Sequence, residues 1–148
     1  MQKNDELVYD PTTGKLWRRA GCENANGYRQ IWFDGKQHME HRVAWFLFYG
    51  KWPDRQVDHI NGDRSDNRIS NLRLATNSEN LCNRRKPRNN TSGYKGVSWI
   101  KRYGAWQATI RVKGKNKNLG LFATREGAAD AYRQAALRYH GEFANLDL

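Results

Sequence analysis

The stretch Val57-Asp58-His59-Ile60-Asn61-Gly62-Asp63 decides the fold of the first half of the chain. A short apolar segment runs into an Asp-His pair, and a loop rich in Asn, Asp, Ser and Gly follows it to residue 67. This pattern predicts a strand over residues 56–59 that ends at the Asp-His pair. Neighbouring side chains on a strand face opposite ways, so the pair can serve one site only if the strand ends or bends there.

Turn and capping signals on either side extend this strand into a first module, residues 1–83. Two hairpins are predicted around the turns Asp10-Pro11-Thr12-Thr13-Gly14 and Asp34-Gly35. Residues 40–49 are predicted to form a helix that ends at Gly50. Thr76-Asn77-Ser78-Glu79 matches a capping box and predicts a second helix running to about residue 85.

The charge of the chain points to a nucleic-acid partner. The 148 residues carry a formal net charge of +11, and the sequence pI is about 10.0. The longest apolar run, residues 43–49, is too short to span a membrane, so we expect no membrane partner. Residues 1–7 are polar and do not form a signal peptide, so the expected location is the cytoplasm. Cys22 and Cys82 form no metal-binding or disulfide pattern.

A basic linker is predicted at residues 84–93. Its cations would follow DNA phosphates rather than read bases. They are Arg84, Arg85, Lys86 and Arg88.

A second module is predicted at residues 94–148. Strands near 95–99, 106–112 and 117–122 precede a helix over 125–140 that begins after Thr124 and ends at Gly141. In the middle strand, apolar and polar residues alternate, so one face would pack on the alanine-rich helix and the other would stay open and basic. We expect Trp99 and Trp106 to lie in the core. The whole chain is therefore predicted to be α+β.

Residues 57–63, 66–73 and 76–80 together resemble the HNH endonucleases, most closely the phage and homing-endonuclease branch. Residues 40–45 and 50–53 resemble the segment that precedes the motif in that branch. The similarity spans residues 28–84. It implies a ββα-metal fold, in which a strand pair and a helix surround one divalent metal, and an enzyme that hydrolyses phosphodiester bonds.

The resemblance also implies residue roles. Asp58 and Asn80 would be metal ligands, His59 the general base, and Asn71 a brace that holds the loop and His59 in orientation. Neutral imidazole can accept a proton from water at cellular pH, and carboxylate and amide oxygens suit Mg²⁺ or Mn²⁺. Asn80 stands where the family name has His, which disfavours zinc and nickel. His41 is an open case, either packing in its helix or joining the site.

Residues 96–99, 106–110, 119–122, 128–132 and 140–146 resemble a second family, the DNA-binding domain of plant apetala/ethylene-response-factor (AP/ERF) proteins. The resemblance implies a three-stranded antiparallel sheet in the major groove of double-stranded DNA, with one helix behind it. The family's target sequence does not carry over, because several contact positions differ. The expected DNA contacts, from the resemblance and the open face together, are Lys95, Ser98, Arg102, Gln107, Thr109, Arg111, Lys117 and Asn118.

The sequence thus predicts a DNA-targeted HNH endonuclease, a nicking or homing enzyme acting as a monomer or weak dimer with one metal and no small-molecule cofactor. Two other hypotheses stay open. One is a DNA-binding regulator with a decayed nuclease module, and the other is a nuclease acting on junctions or RNA. Plasmid nicking with and without Mg²⁺ distinguishes the endonuclease from the regulator. A comparison of duplex, junction and RNA substrates tests the hypothesis of a junction or RNA nuclease.

Overall fold

Residues 8–17, 22–25, 27–84, 86–87 and 89–146 are described by the structure, a computed structural model. They form helices and strands in both halves of the chain, which confirms the α+β class. By their contacts the residues divide into two compact units, Met1–Thr76 and Asn77–Leu148. The division falls ahead of the predicted linker, so residues 77–83 pack with the second unit. Arg85 and Arg88 lie outside the described residues.

The first unit consists of three small antiparallel sheets and one helix. A hairpin pairs β1 (Val8–Asp10) with β2 (Lys15–Trp17). The second sheet has the order β3 (Cys22–Glu23), β4 (Arg29–Phe33), β5 (Lys36–Met39), and α1 (Glu40–Tyr49) follows it directly. The third sheet pairs β6 (Gln56–His59) with β7 (Leu72–Ala75). The residues gave no separate prediction of β3 or β7, although the strand pair of the resembled fold implies a partner for β6.

Local chemistry explains where these elements stop. Asp34 and Gly35 both have positive φ, 47° and 72°, as the tight turn between β4 and β5 requires. Gly50 ends α1 in the left-handed conformation, and its N–H donates to Phe46 O at 2.8 Å. These are the turn and the stop that the sequence predicted.

A small core holds the β6–β7 hairpin against α1. Its buried members are Ala44 and Trp45 from the helix, Val57 from β6 and Leu72 from β7. Partly buried Tyr9, from the first hairpin, packs against the same cluster. The end of β6 is therefore fixed from both sides, by the helix and by the amino-terminal hairpin.

The second unit begins with a short helix, α2 (Asn77–Cys82), which ends sooner than predicted. It continues with β8 (Val97–Ile100), β9 (Ala105–Val112), β10 (Lys115–Phe122) and α3 (Arg125–His140). The three strands form an antiparallel sheet with β9 in the centre. Thr124 caps α3 by accepting a hydrogen bond from Gly127 N at 3.1 Å.

The core of the second unit lies between the sheet and α3. Ala108 and Ile110 of β9 are buried there against Ala128 and Tyr132 of the helix, in two adjoining clusters. This confirms the alternation predicted for the middle strand. Trp106 packs against the core as expected, but the prediction for Trp99 was wrong, because it keeps 46% of its surface exposed.

Carbonyl groups at the end of α2 are held by residues of the second unit. Lys95 Nζ donates to Cys82 O at 2.7 Å and to Arg84 O at 2.6 Å, and Asn145 Nδ2 donates to Asn83 O at 2.8 Å. The bond to Cys82 O satisfies a group that the last turn of a helix leaves open, and the other two hold the residues that follow α2. These bonds explain why α2 packs with the second unit. No helix within the described ranges is long and apolar enough to cross a membrane.

Candidate active site

The Asp-His pair lies at the carboxyl end of β6. Asp58 is directly opposite Arg73 of β7, and His59 is opposite Leu72. The strand ends at His59, and the chain turns back at once, with Gly62 N donating to His59 O at 2.9 Å. The condition set by the sequence, that the strand should end or bend at this pair, is therefore met.

His59 is almost fully buried, with 3% of its surface exposed. Its Nε2 lies 3.0 Å from Asn67 Oδ1. Its ring centroid lies 5.1 Å from that of His41 and 6.1 Å from that of Tyr28. Burial lowers the pKa of His59 below its ordinary value, while the contact with Asn67 and nearby carboxylates oppose this shift. The imidazole is therefore neutral at neutral pH, as a general base must be.

His41, the open case of the sequence, lies beside His59. Both rings are buried and meet edge to face. Burial, followed by the charges of His59 and Arg42, lowers the pKa of His41 to about 3. His41 is thus a neutral ring that packs against His59.

Asn71 braces the loop that follows β6. Its Oδ1 accepts from Asn61 N at 3.0 Å, and its Nδ2 donates to Asn61 Oδ1 at 3.0 Å and to Asp66 O at 2.8 Å. Its own carbonyl accepts from Ile60 N at 2.9 Å, one residue beyond His59. The side chain that is hydrogen-bonded to the His59 ring is instead that of Asn67, through its Oδ1, a residue that the sequence did not single out. A polar loop of several Asn and Asp residues gives no signal for the one that is buried.

Asp58 is buried and forms an ion pair with Arg73. Arg73 Nε and Nη2 both donate to Asp58 Oδ2, at 3.0 and 2.9 Å. Both side chains are largely removed from solvent, with 13% and 7% exposed for Arg73 and Asp58. The sequence did not assign Arg73 this role, which follows from the register of β6 and β7.

The predicted metal ligands are spread over the two units. Asp58 belongs to the first unit, and Asn80 lies half-buried on α2 in the second. Across the described ranges, no group of three or more His, Cys, Asp or Glu side chains forms a ready-made metal site. One carboxylate and one amide nevertheless fit a hard cation such as Mg²⁺, which retains water and takes substrate phosphate as further ligands.

The predicted DNA contacts among the described residues fall into three groups. Ser98 is opposite Gln107, Asn118 is opposite Thr109 and Arg111 is opposite Asn116, all on the face away from the buried Ala108 and Ile110. Arg84, Lys86 and Arg102 are exposed.

The other two predicted contacts are engaged elsewhere. Lys95 bonds the carbonyls that follow α2, and burial lowers the pKa of its ammonium. Lys117 is opposite the buried Ile110, and its Nζ donates to Tyr139 OH of α3 at 2.7 Å. Carbonyls at and just beyond the end of α2 direct the Lys95 ammonium away from the open face, and the register of β10 with its bond to Tyr139 does the same for Lys117.

Comparison with known proteins identifies the domain around His59. The family model described as HNH endonuclease matches residues 38–82. Protein 3.8 of Escherichia phage T7 is 35% identical over 120 residues, which cover 80% of this chain and 96% of the phage protein. The chain belongs to the family of this phage protein and carries an HNH endonuclease domain.

Two further relatives of this HNH protein extend the comparison. Uncharacterized HNH endonuclease L560 of Acanthamoeba polyphaga mimivirus is 32% identical over 80% of the chain, which spans 62% of the viral protein. APETALA2-like protein 2 of Oryza sativa subsp. indica is 41% identical over 64 residues, 43% of the chain and 15% of the plant protein. No solved structure matches the chain.

Proposed function

We propose that this HNH protein is a metal-dependent DNA endonuclease that hydrolyses one phosphodiester bond per engagement. The observation that supports this most is the state of His59. It lies within the matched HNH segment, at the end of β6, as a buried neutral imidazole with a fixed hydrogen-bond partner. A neutral imidazole in a defined orientation is what proton abstraction from water requires.

In the proposed reaction, His59 accepts a proton from the attacking water. Asn71 keeps the loop after β6 in shape, and His41 packs against the ring of His59. Asp58 would hold a divalent ion, and the second predicted ligand, Asn80, stays a prediction from the sequence. When bound, Mg²⁺ or Mn²⁺ would stabilise the negative charge that grows on the phosphoryl oxygens. The products would carry 5′ phosphate and 3′ hydroxyl ends.

DNA binding is assigned to the second unit in the same proposal. The polar face of its sheet lies opposite the face that packs on α3, and the partial likeness to APETALA2-like protein 2 supports a DNA-binding role. Side chains on such a face can reach base edges in a groove, while linker cations contact phosphates. Homing of a mobile element is the biological role that the sequence resemblance suggests.

Relaxation of a supercoiled plasmid by the full chain tests the proposal. With Mg²⁺ or Mn²⁺ we expect open-circular DNA, and with EDTA no change. Cleavage of labelled linear duplex, junction and RNA substrates should show a preference for duplex DNA. Tight DNA binding without cleavage in either metal would instead favour the non-enzymatic regulator.

A further inference from the structure

We propose that Asn67 is a positioning residue that fixes the ring tautomer of His59, and that the hairpin β1–β2 holds Asn67 in place. The catalytic meaning of this assignment rests on the proposed nuclease function. The tautomer itself does not depend on that function, and it can be measured even if the protein cleaves no DNA.

The contact between the two side chains selects one tautomer. An amide oxygen only accepts hydrogen bonds, so the His59 Nε2–H donates to Asn67 Oδ1 across 3.0 Å. In the neutral ring the lone pair is then on Nδ1, which becomes the atom that takes the proton from water. The contact is secluded, because Asn67 has only 1% of its surface exposed and His59 only 3%.

The hairpin β1–β2 contacts the backbone on which Asn67 sits. Tyr9 OH donates to Asn67 O at 2.7 Å, although 58 residues separate the two in sequence. Pro11 O accepts from Ile69 N at 3.1 Å. Gly14 approaches so closely that a Cβ there would lie 2.6 Å from Asn67 C and 2.3 Å from Arg68 N. The hairpin therefore fixes the segment 67–69 and leaves it no room to shift toward Gly14.

Asn67 makes this contact at a cost. Its Nδ2 is buried and has no hydrogen-bond partner in the described part of the chain. An unsatisfied buried donor costs about 1–3 kcal/mol, so a residue chosen for stability alone would not be an amide here. Such groups call for a functional explanation. The bond from Oδ1 to His59 supplies it.

Asn71 does not duplicate this role. Its side chain bonds Asn61 and Asp66 and so shapes the loop. The ring of His59 is held by Asn67. Two amides thus divide the work that the sequence assigned to Asn71 alone.

The tautomer can be read by ¹⁵N NMR of the histidine side chains in the full chain at neutral pH. The four histidines are assigned by comparison with single substitutions, His59→Ala among them. We expect the Nε2–H pattern for His59 in the parent. Asn67→Leu keeps the branched heavy-atom skeleton, removes the acceptor and should lose that pattern, while Asn67→Asp keeps an acceptor and should retain the proton on Nε2.

Cleavage kinetics supply the second reading. Asn67→Leu should lower kcat on the order of 10²-fold with little change in DNA affinity, since a misplaced group costs about that much. Tyr9→Phe removes one bond to the Asn67 backbone and should lower kcat by less. Thr13→Val, which removes a hydroxyl bonded to Asp10 in the same hairpin, is the matched control and should leave kcat unchanged.

Two results would overturn the proposal: an Nδ1–H pattern for His59 in the parent, or parental kcat in a folded Asn67→Leu protein. Failure of the nuclease function is distinguishable from both. If the parent shows the Nε2–H pattern, Asn67→Leu loses it, and the parent never cuts DNA, the endonuclease function is refuted. The contact with Asn67 would still be supported as the interaction that fixes the tautomer of His59.

Discussion

Arg73 donates two hydrogen bonds to a single oxygen of Asp58, its direct partner across β6 and β7. A buried carboxylate needs such a partner, because desolvation of an unpaired charge is costly. The guanidinium therefore neutralises the very group that is proposed to hold a metal ion. Arg73 and the metal would supply positive charge to the same carboxylate.

The first prediction concerns this pair. Arg73→Met should lower the stability of the metal-free protein by about 3–5 kcal/mol, the usual cost of breaking a buried ion pair. Because Asp58 then lacks this cation, added Mn²⁺ should raise the Tm more in the variant than in the parent. Thermal unfolding with and without Mn²⁺ measures both effects. Asp58→Asn, which lacks the carboxylate, is the control. An equal rise in Tm on addition of Mn²⁺ to the parent and to Arg73→Met would contradict the idea that Arg73 and the metal share Asp58.

Metal dependence gives the second prediction. Asp58→Ala should reduce plasmid nicking more than Asn80→Ala, because a carboxylate supplies charge as well as an oxygen ligand. Raising the Mn²⁺ concentration should recover more activity in the Asn80 variant than in the Asp58 variant. Initial nicking rates across a metal titration measure this order. A greater loss of nicking in Asn80→Ala than in Asp58→Ala, or full activity in EDTA, would contradict the assignment of Asp58 as a metal ligand.

Sequence reading by the sheet is the third prediction. Arg111 is exposed on β9, and its Nε donates to Gly114 O at 3.2 Å, which ties the guanidinium to the β9–β10 turn. Arg111→Ala should relax base preference by about 1–3 kcal/mol at one position, the value of a good arginine–guanine contact. Lys117→Ala is the matched control, since Lys117 bonds Tyr139 on the helix side.

Selection of binding sites from a random DNA pool separates the outcomes. The control should keep the parental site. An Arg111→Ala protein that selects the parental site with uniformly lower affinity would make Arg111 a phosphate contact only.

The fourth prediction concerns the packing of the second unit. A Cβ at Gly96 would lie 2.3 Å from the Tyr132 ring and 2.5 Å from Thr109 O. Gly96→Ala should therefore destabilise the unit by at least about 1–3 kcal/mol, the usual cost of overpacking. Gly93 and Gly96 both have positive φ, but Gly93 has open space around it, so Gly93→Ala measures backbone strain alone. Urea unfolding of both variants tests this, and equal stability would contradict it.

The sequence predicted those parts of the fold that local chemistry determines. Asp34-Gly35, Gly50 and the Thr124 cap each act within a few residues, and the elements they bound lie where expected. The contacts that the sequence did not reveal depend on distant packing. Asn67, which contacts His59, is bonded by Tyr9 from 58 residues away, and Lys95 contacts the end of α2 from 13 residues away.

Cleavage by the full chain and by His59→Ala, measured beside DNA affinity, tests the central claim most directly. His38→Ala is the control, a histidine of the same unit that stacks on Trp52 outside the site. We predict that His59→Ala loses roughly 10²–10⁴-fold in nicking rate, the usual value of a positioned base. Its Kd for DNA should stay near the parental one, because basic contacts dominate affinity. Nicking by His59→Ala at the parental rate would contradict the account.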